Sequence, residues 1–398
     1  MMQANTSNST AVSIRIIESA TELEGIRVEW DRLLQRLPDV SIFSTPEWLL
    51  SWFAAYGEGR KPWVATFHDP SGEMIALAPM MLTTQRMAMR RLRVLQLLGD
   101  GSGDSDNLEI LVVPGWEREV VSSLHNLLET EGKRWDIASF NTMPASSPAA
   151  CEMMLELQRR RWSMAVNREP CCAIPLPPTW EAYLQKLSSK ERKKIGYRSR
   201  LLEKKFVVKY VCCSNPNSIE ERLLQLFDLH SKRWQKEGQT GRFVNSERRT
   251  FYHLLSSVLI NRNWLELWVL ELNEIPVAAQ YVMRYHKTSY GLQGGFDPAF
   301  HSASVGYVLR AHMLRNLIES GVRKHDHLGG VTDSKLRWGA IPGEYLFLMF
   351  ARPATFSAAY IETLVTACHM REYLRTHAPQ HIFDILRRAY RFFVPLNK

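Results

Sequence analysis

The feature that most constrains the fold of this chain is a pattern that occurs twice. Trp63-Val-Ala-Thr-Phe, a turn and Met74-Ile-Ala-Leu-Ala are echoed by Trp268-Val-Leu-Glu-Leu, a turn and Pro276-Val-Ala-Ala-Gln. Each copy predicts a β-hairpin, and helical spacings precede both copies. With 398 residues the chain is long enough for two domains. We therefore expect two related α/β halves, joined near residues 150–178.

Local signals place elements within each half. In the first half, Thr45 is expected to cap a helix whose first residue is Pro46. The other elements predicted there are a strand at 13–17, a helix at 23–37, a hairpin of 62–67 with 74–82, and a strand at 108–113. In the second half, helices are predicted at 180–205, 219–237 and 246–261, and strands at 265–272, 276–285 and 287–294.

Composition excludes several classes of protein. Hydrophobic residues make up 45% of the chain and charged residues 23%, which is typical of soluble globular proteins and not of disordered or fibrous ones. The six cysteines are too few for a disulfide framework and have no metal-ligand spacing, so we expect reduced thiols and a cytoplasmic location. An export signal and an apolar run of about 18 residues are both absent from the sequence.

Nearly all of the net charge of +9 lies in one segment. Residues 186–209 contain ten basic and two acidic residues, a net charge of +8, on a predicted helix. Such a run is either a solvated helix face or a surface that binds phosphate groups. Aromatic residues are sparse in it, which favours a phosphate or pyrophosphate ligand over stacked nucleic-acid bases.

A small-residue loop follows the strand at 287–294 and opens a helix that ends at Gly321. Its last residues are Ser304-Val305-Gly306. The free N–H groups at the start of a helix attract anions, and the helix dipole adds to that attraction. The segment is therefore either a pyrophosphate site or a serine-capped core helix.

Downstream of this helix the sequence resembles a known family. The strand, the turn with Gly306, the helix to Gly321, and then Asp326, Gly329, Lys335 and Trp338 resemble the BioF2-like acetyltransferases of the GNAT superfamily. That family is similar to the FemAB transferases and to the CelD/BcsL group of polysaccharide operons. The resemblance covers about residues 180–340, with fainter matches at 43–48 and 98–106. One departure is that the usual Gln or Arg ahead of two glycines is replaced by Ser304-Val305-Gly306.

The resemblance implies an α/β (α+β) fold of two tandem GNAT-like domains, each a mixed, largely antiparallel sheet flanked by helices. The expected domains are an N-terminal GNAT-like domain at 1–170 on the acceptor side, a C-terminal GNAT (BioF2-like) domain at 171–350, and a helical extension at 351–398. It further implies acetyl-CoA or another acyl-CoA as donor. The residues expected to bind the donor are Ser304, Val305, Gly306, Gln280, Arg192 and Arg198.

Acyl transfer from a thioester to an amine requires a base, hydrogen bonds to an oxyanion and an acid for the thiolate. We expect the oxyanion to be bound by a main-chain N–H between Val277 and Tyr281. The candidate catalytic residues are Asp326, Asp333, Lys335 and Tyr307, with Asp297 and Tyr290 as further candidates. Against these roles, Asp297 can start a turn, Asp326 can cap a loop, and Lys335 can be plain surface charge. We expect no metal, because His325-Asp326-His327 lacks a third ligand nearby.

The sequence thus predicts an acyl-CoA-dependent N-acyltransferase that acts on an amine of a sugar or cell-envelope polysaccharide precursor. An aminoacyl-tRNA-dependent transferase and a non-catalytic binding module of a polysaccharide synthase remain as alternatives. The acceptor is expected to be a small molecule or to be linked to a lipid or nucleotide, and tRNA is the one nucleic acid considered. The basic amphipathic segment 382–394 suggests either peripheral membrane contact or a helix docked on its own domain.

Overall fold

A computed structural model describes residues 12–87, 89–213 and 215–377, with side chains described up to residue 370. The helices, in chain order, are α1 Ala20–Gly25, α2 Arg27–Gln35, α3 Pro46–Tyr56, α4 Glu117–Thr130, α5 Pro148–Arg159, α6 Trp180–Lys186, α7 Ser189–Lys205, α8 Ile219–Lys236, α9 Ser246–Asn261, α10 Val305–Glu319, α11 Asp333–Arg337 and α12 Phe356–His377. The strands are β1 Ser13–Ile17, β2 Lys61–Pro62, β3 Val64–His68, β4 Met74–Ala78, β5 Met80–Met87, β6 Arg90–Leu97, β7 Leu111–Val112, β8 Ile137–Pro144, β9 Ser163–Pro175, β10 Val208–Cys213, β11 Leu265–Leu272, β12 Ile275–Tyr285, β13 Thr288–Phe296, β14 Lys324–Gly329 and β15 Ile341–Ala351.

Within these residues the strands form two sheets. The smaller sheet has four strands in the order β1-β3-β4-β7, and the larger has eleven in the order β10-β11-β12-β13-β14-β9-β15-β8-β6-β5-β2. Neighbouring strands are antiparallel except for the parallel pairs β6 with β8 and β13 with β14. The fold class predicted from the sequence, mixed and largely antiparallel sheets flanked by helices, is confirmed.

The segment expected to link the halves is a central strand of the large sheet. β9 pairs with β15 from Ser163 to Ala173 and with β14 at its C-terminal end, while β15 also pairs with β8. The expected boundary at residue 170 therefore falls inside β9. Because these pairings run across the boundary, the two halves share one continuous sheet.

Local capping signals explain where several helices begin. Thr45 Oγ1 accepts a hydrogen bond from the Trp48 amide at 3.3 Å, with Pro46 at the first helical position, as predicted. The predicted single helix at 180–205 is wrong, because Leu187 is extended and Ser188 caps a new helix by accepting from the Glu191 amide. The chain therefore breaks between α6 and α7.

Aromatic and ionic contacts hold the two halves together beside the large sheet. The rings of Trp48 on α3 and Phe251 on α9 meet edge to face, with centroids 5.1 Å apart. Asp104 is buried and lies 2.8 Å from the Nε of Arg248 on α9. Tyr56 and Tyr252 also donate their hydroxyl protons to Asp104, at 3.1 and 3.3 Å. These contacts fix the Gly-rich and Asp-rich loop 99–106 against the second half.

One glycine allows α8 to pack directly on the sheet. A Cβ added to Gly295 of β13 would lie 2.3 Å from the main-chain nitrogen of His230 on α8. Only a residue without a side chain fits this approach.

No helix in the described part of the chain is long and apolar enough to cross a membrane. The amphipathic segment 382–394 lies outside the described residues.

Candidate functional site

A cleft of about 470 Å³ opens where β13 and β14 separate. The parallel ladder between these strands ends at the pair Tyr290 and Asp326, whereas β13 continues to Phe296. Beyond the ladder, the β13 edge that faces β14 is unpaired, and residues 291–294 line the cleft. We call this cavity the central cleft, because loop 99–106 of the first half forms its opposite wall.

The unpaired edge corrects the expected position of the oxyanion site. Val277 to Tyr281 lie on β12, which is hydrogen-bonded to β11 on one side and to β13 on the other. Main-chain N–H groups within two ladders are already used. The main-chain groups without a neighbouring strand are those on the open edge of β13. A bulge opposite Tyr281 and Val282 also leaves Leu292 outside the regular register.

Asp106 brings a carboxylate from the first half into the central cleft. Its Oδ2 accepts a hydrogen bond from the Gly329 amide at 3.1 Å, which fixes loop 99–106 to the end of β14. Burial raises the pKa of Asp106 to about 6, and the negative charge of Asp326 contributes in the same direction. A carboxylate with such a pKa is well suited to act as a general base near neutral pH.

β14 places its side chains alternately on two sides of the sheet. His325 and His327 face the central cleft, whereas Asp326 lines a separate cavity beside Tyr345. Burial lowers the pKa of His325 to about 3, and burial together with His325 lowers that of His327, so both rings are neutral. Asp326 instead accepts a hydrogen bond from the Leu328 amide at 2.9 Å. Its carboxylate is thus a loop cap, which is the structural role considered for it from the sequence.

Lys335 lies in the central cleft, but its ammonium group is already bound. Nζ donates to the carbonyl oxygens of His327, Gly329 and Gly330 at 2.9, 2.7 and 2.8 Å. An ammonium group has three protons, so these three bonds use all of them. Lys335 therefore fixes the loop after β14, and burial lowers its pKa.

A second cavity, of about 350 Å³, lies at the start of α10. Ser304, Val305 and Gly306 line this α10 cavity, as expected for donor-binding residues. Ser304 has a left-handed backbone with φ 57° and its side chain caps no amide. Among the described residues, no main-chain acceptor bonds the amides of Val305 and Gly306, so both N–H groups are free for an anion.

Tyr307 forms part of the wall of the α10 cavity. Its hydroxyl donates to Glu191 Oε2 at 2.7 Å, and its ring packs against Trp338 with centroids 4.6 Å apart. Burial and the Glu191 carboxylate raise the pKa of Tyr307. The phenol is therefore protonated at neutral pH, with its proton directed at Glu191 and not at a leaving group.

Four residues line both cavities: Arg233, Gln280, Gly294 and Arg310. Gln280 was expected at the donor site and lies on β12 at this junction. The two cavities are therefore adjacent and meet beside the open edge of β13. A molecule in the α10 cavity and another in the central cleft would approach each other there.

The structure does not bring the remaining predicted residues into either cavity. Asp333 is exposed at the first position of α11, and Arg192 is exposed on α7. Arg198 donates to the Ser302 carbonyl at 3.0 Å and so supports the loop before α10. Asp297 caps that loop, and Tyr290 is buried against Phe43. Among the described residues there is no group of three His, Cys, Asp or Glu side chains that could hold a metal ion.

Sequence reasoning missed Asp106, Arg233 and Arg310 as functional candidates. Asp106 belongs to a Gly-rich and Asp-rich loop of the first half, and the two arginines lie on helices of the second half outside any motif that the sequence analysis singled out. The one available signal was loop 98–106, where a faint family resemblance had already been noted.

Comparison with known proteins identifies the second half. Residues 189–336 match the family described as "Acetyltransferase (GNAT) domain". This stretch is therefore similar to a GNAT acetyltransferase domain. The matched residues run from the start of α7 to α11 and include α10 and both strands that border the central cleft. No curated protein matches the chain significantly.

Two solved structures show that the likeness extends beyond the GNAT domain. The structure of FemX superposes with a TM-score of 0.58 and 11% identity, covering 84% of this chain and 96% of that one. A conserved protein of unknown function from Bacteroides thetaiotaomicron superposes with a TM-score of 0.50 and 12% identity, covering 86% and 100%. At such identities the likeness establishes the fold alone. The narrower resemblance to BioF2-like and CelD/BcsL proteins stays a prediction.

Proposed function

We propose that this protein transfers an acyl group, acetyl in the simplest case, from acyl-CoA to an amine. The observation that supports the proposal is the junction of the two cavities. The α10 cavity has the free N–H groups that a pyrophosphate requires, and the central cleft has room for an acceptor. The cavities meet at the unpaired edge of β13, where the thioester and the amine would react.

The chemistry follows from the groups at that edge. The amine nitrogen attacks the thioester carbonyl, a C–N bond forms and the C–S bond breaks. A main-chain N–H of β13 would stabilise the oxyanion, as preorganised backbone donors do in other acyl transfers. Asp106 would accept the proton that the amine loses. The thiolate that leaves takes up one proton, which can come from water at the open cleft.

We propose different roles for the residues first considered catalytic. Lys335 holds the His327–Gly330 loop in place, and Tyr307 shapes the wall of the donor cavity. Asp326 and Asp333 do not line the central cleft. The acceptor amine that we propose belongs to a sugar or to a cell-envelope polysaccharide precursor, as the family resemblance implies.

An aminoacyl-tRNA donor is the alternative that one observation favours. α7 lies beside the α10 cavity, and the side chains of Lys190, Arg192, Lys193, Lys204 and Lys205 on it are exposed. An exposed row of cations suits a polyanion with many phosphates. A binding module without activity would keep the cavities but show no turnover.

Ligand-induced thermal stabilisation distinguishes these functions. A ligand present at 100 times its dissociation constant stabilises the folded state by about 2.7 kcal/mol. We expect acetyl-CoA and CoA to raise the melting temperature and aminoacylated tRNA to leave it unchanged. A shift with aminoacylated tRNA alone would replace acyl-CoA as the donor, and the absence of any shift would contradict both donors.

A further inference from the structure

Two arginines from different helices lie at the junction of the two cavities. Arg233 lies on α8 and Arg310 on α10, and both line the central cleft and the α10 cavity. Gln280 on β12 also lines both cavities. These three side chains come from three different elements, so the tertiary fold, and not a single helix, brings them to the junction.

Arg310 has no anionic partner in the protein. Among the described residues, no carboxylate pairs with its guanidinium and no acceptor lies within hydrogen-bond distance of it. Its guanidinium carbon lies 6.0 Å from the centroid of the Trp338 ring. Burial lowers the pKa of Arg310, and the neighbouring charge that adds most to this effect is another cation, Arg233. An arginine keeps its charge inside proteins, so this one is a charge without a counter-charge.

Arg233 is also incompletely paired. Its Nε is buried without a hydrogen-bond partner, and within the described part of the chain the one carboxylate that pairs with it, that of Glu237, is 3.8 Å away. The guanidinium carbon lies 5.8 Å from the centroid of Phe296, which belongs to the wall of the α10 cavity. It also lies 5.4 Å from the centroid of Trp234, so two aromatic rings and one long ion pair hold the planar group at the cavity.

Arg248, beside the central cleft but not among the residues that line it, provides a contrast. It is bound to the buried carboxylate of Asp104, so its charge is balanced within the protein. Burying a charge without a partner costs free energy, and bringing two cations together costs more. Such a pair at a cavity is what binding of an anion requires, because the guanidinium fork matches the geometry of carboxylate and phosphate oxygens.

We propose that Arg233 and Arg310 bind an acidic group of a substrate, a carboxylate or a phosphate, at the junction of the two cavities. The site deepens the proposed function, on which its assignment to a substrate rests. The acidic group has two sources: the phosphates of the donor, or an acid on the acceptor amine. Arg310 also lies close enough to His325 and His327 to lower their pKa values, which places its charge on the central-cleft side of the junction.

The test compares Arg310→Gln and Arg233→Gln with a control, Arg315→Gln. Arg315 lies on the same helix, is exposed, and pairs with Glu319 at 2.7 Å outside both cavities. Binding is measured by calorimetry with two pairs of probes. CoA is compared with pantetheine, which lacks both the phosphates and the adenosine of CoA, and glucosamine 6-phosphate is compared with glucosamine, which lacks only the phosphate. Inorganic pyrophosphate is a further probe, which tests anion binding without the rest of either substrate.

We expect the wild type and Arg315→Gln to bind pyrophosphate and to prefer the phosphorylated member of at least one pair. Arg310→Gln should weaken that binding roughly tenfold to a hundredfold, the range for losing a charged hydrogen-bond partner. Weaker binding of CoA identifies the donor as the source, and weaker binding of glucosamine 6-phosphate identifies the acceptor. Both results support the site.

Equal binding of every probe by the wild type and both cavity variants would overturn the proposal. Folding does not obscure the result, because Arg310→Gln removes an unpaired charge and should leave the melting temperature of the free protein unchanged or higher. Arg310→Lys is the second variant and should retain part of the affinity, since it retains the charge. These binding measurements need no turnover, so the anion site and the acyltransferase activity can fail separately.

Discussion

Replacing Asp106 by Asn tests the general base that the structure identifies. The carboxylate lies in the central cleft with a pKa raised to about 6 by burial and by Asp326. With that pKa, the ionised fraction is about one tenth at pH 5 and about nine tenths at pH 7. The amide of Asn keeps the shape and can still accept the Gly329 hydrogen bond, but it cannot accept a proton.

The effect on kcat/KM follows from the ionised fraction of Asp106 and from the rate contribution of a positioned base. In the wild type, kcat/KM for the amine should rise about tenfold between pH 5 and pH 7 and level off above a break near pH 6. Asp106→Asn should lower kcat/KM at pH 7 by roughly a hundredfold or more, the usual contribution of a positioned base. Its remaining activity should follow the fraction of free amine, so the break near pH 6 disappears and the rate climbs with pH.

The assay is the release of CoA thiol at saturating acetyl-CoA, measured from pH 5 to pH 9 for both proteins. The stability of the folded wild type supplies an independent readout of the same pKa. Because this pKa is raised above that of the unfolded chain, its stabilising contribution is present at low pH and is lost as pH rises through about 6. The stability of Asp106→Asn should not fall as pH rises through about 6. A variant that keeps both the break near pH 6 and a rate within threefold of the wild type would refute the role of Asp106.

Two further predictions concern what holds the site in place. Gly295→Ala should destabilise the protein by at least about 1–3 kcal/mol in chemical denaturation, because the added methyl would lie 2.3 Å from the His230 nitrogen. Gly306→Ala is the matched control; the nearest atom to its Cβ is 3.6 Å away, so a comparable loss of stability there would contradict the packing explanation. Asp104→Asn should cost about 3–5 kcal/mol, since it leaves the guanidinium of Arg248 without its carboxylate; a loss below 1 kcal/mol would show that this contact does not join the halves.

Elements with a strong local signal could be predicted from the sequence almost to the residue. α9 occupies the predicted range 246–261, because Asn245 caps it and accepts from the Arg248 amide at 2.7 Å. β11 likewise occupies 265–272 as predicted. Both segments carry their own periodicity and end signals, so neither depends on distant residues for recognition.

β9 shows what local signals cannot reveal. Its sequence contains prolines and lacks a regular alternation, so the sequence alone places it in the link between the halves. It is a strand because β15, some 180 residues later, pairs with it from Ser163 to Ala173. Pairing over such a separation leaves no periodic mark in either segment.

The residues of the candidate site likewise fall into those that the sequence could predict and those that it could not. Ser304, Val305 and Gly306 lie on one continuous loop and helix start, so their common location was predictable. Asp106 and Arg310 line the same cleft only because the halves pack together and α10 folds over the sheet. The charge of residues 186–209 drew attention to Arg192, yet that side chain is exposed and outside both cavities.

The most direct test of the central claim, that the start of α10 holds the donor, is the affinity for acetyl-CoA of Gly306→Asp beside Gly306→Ala. Asp is favourable near a helix start and the position has room for a Cβ, so the fold should be kept, while the new carboxylate repels a pyrophosphate. We predict that calorimetry will show affinity near that of the wild type for Gly306→Ala and at least about tenfold weaker binding for Gly306→Asp. Equal affinities for all three proteins would contradict a donor site at α10.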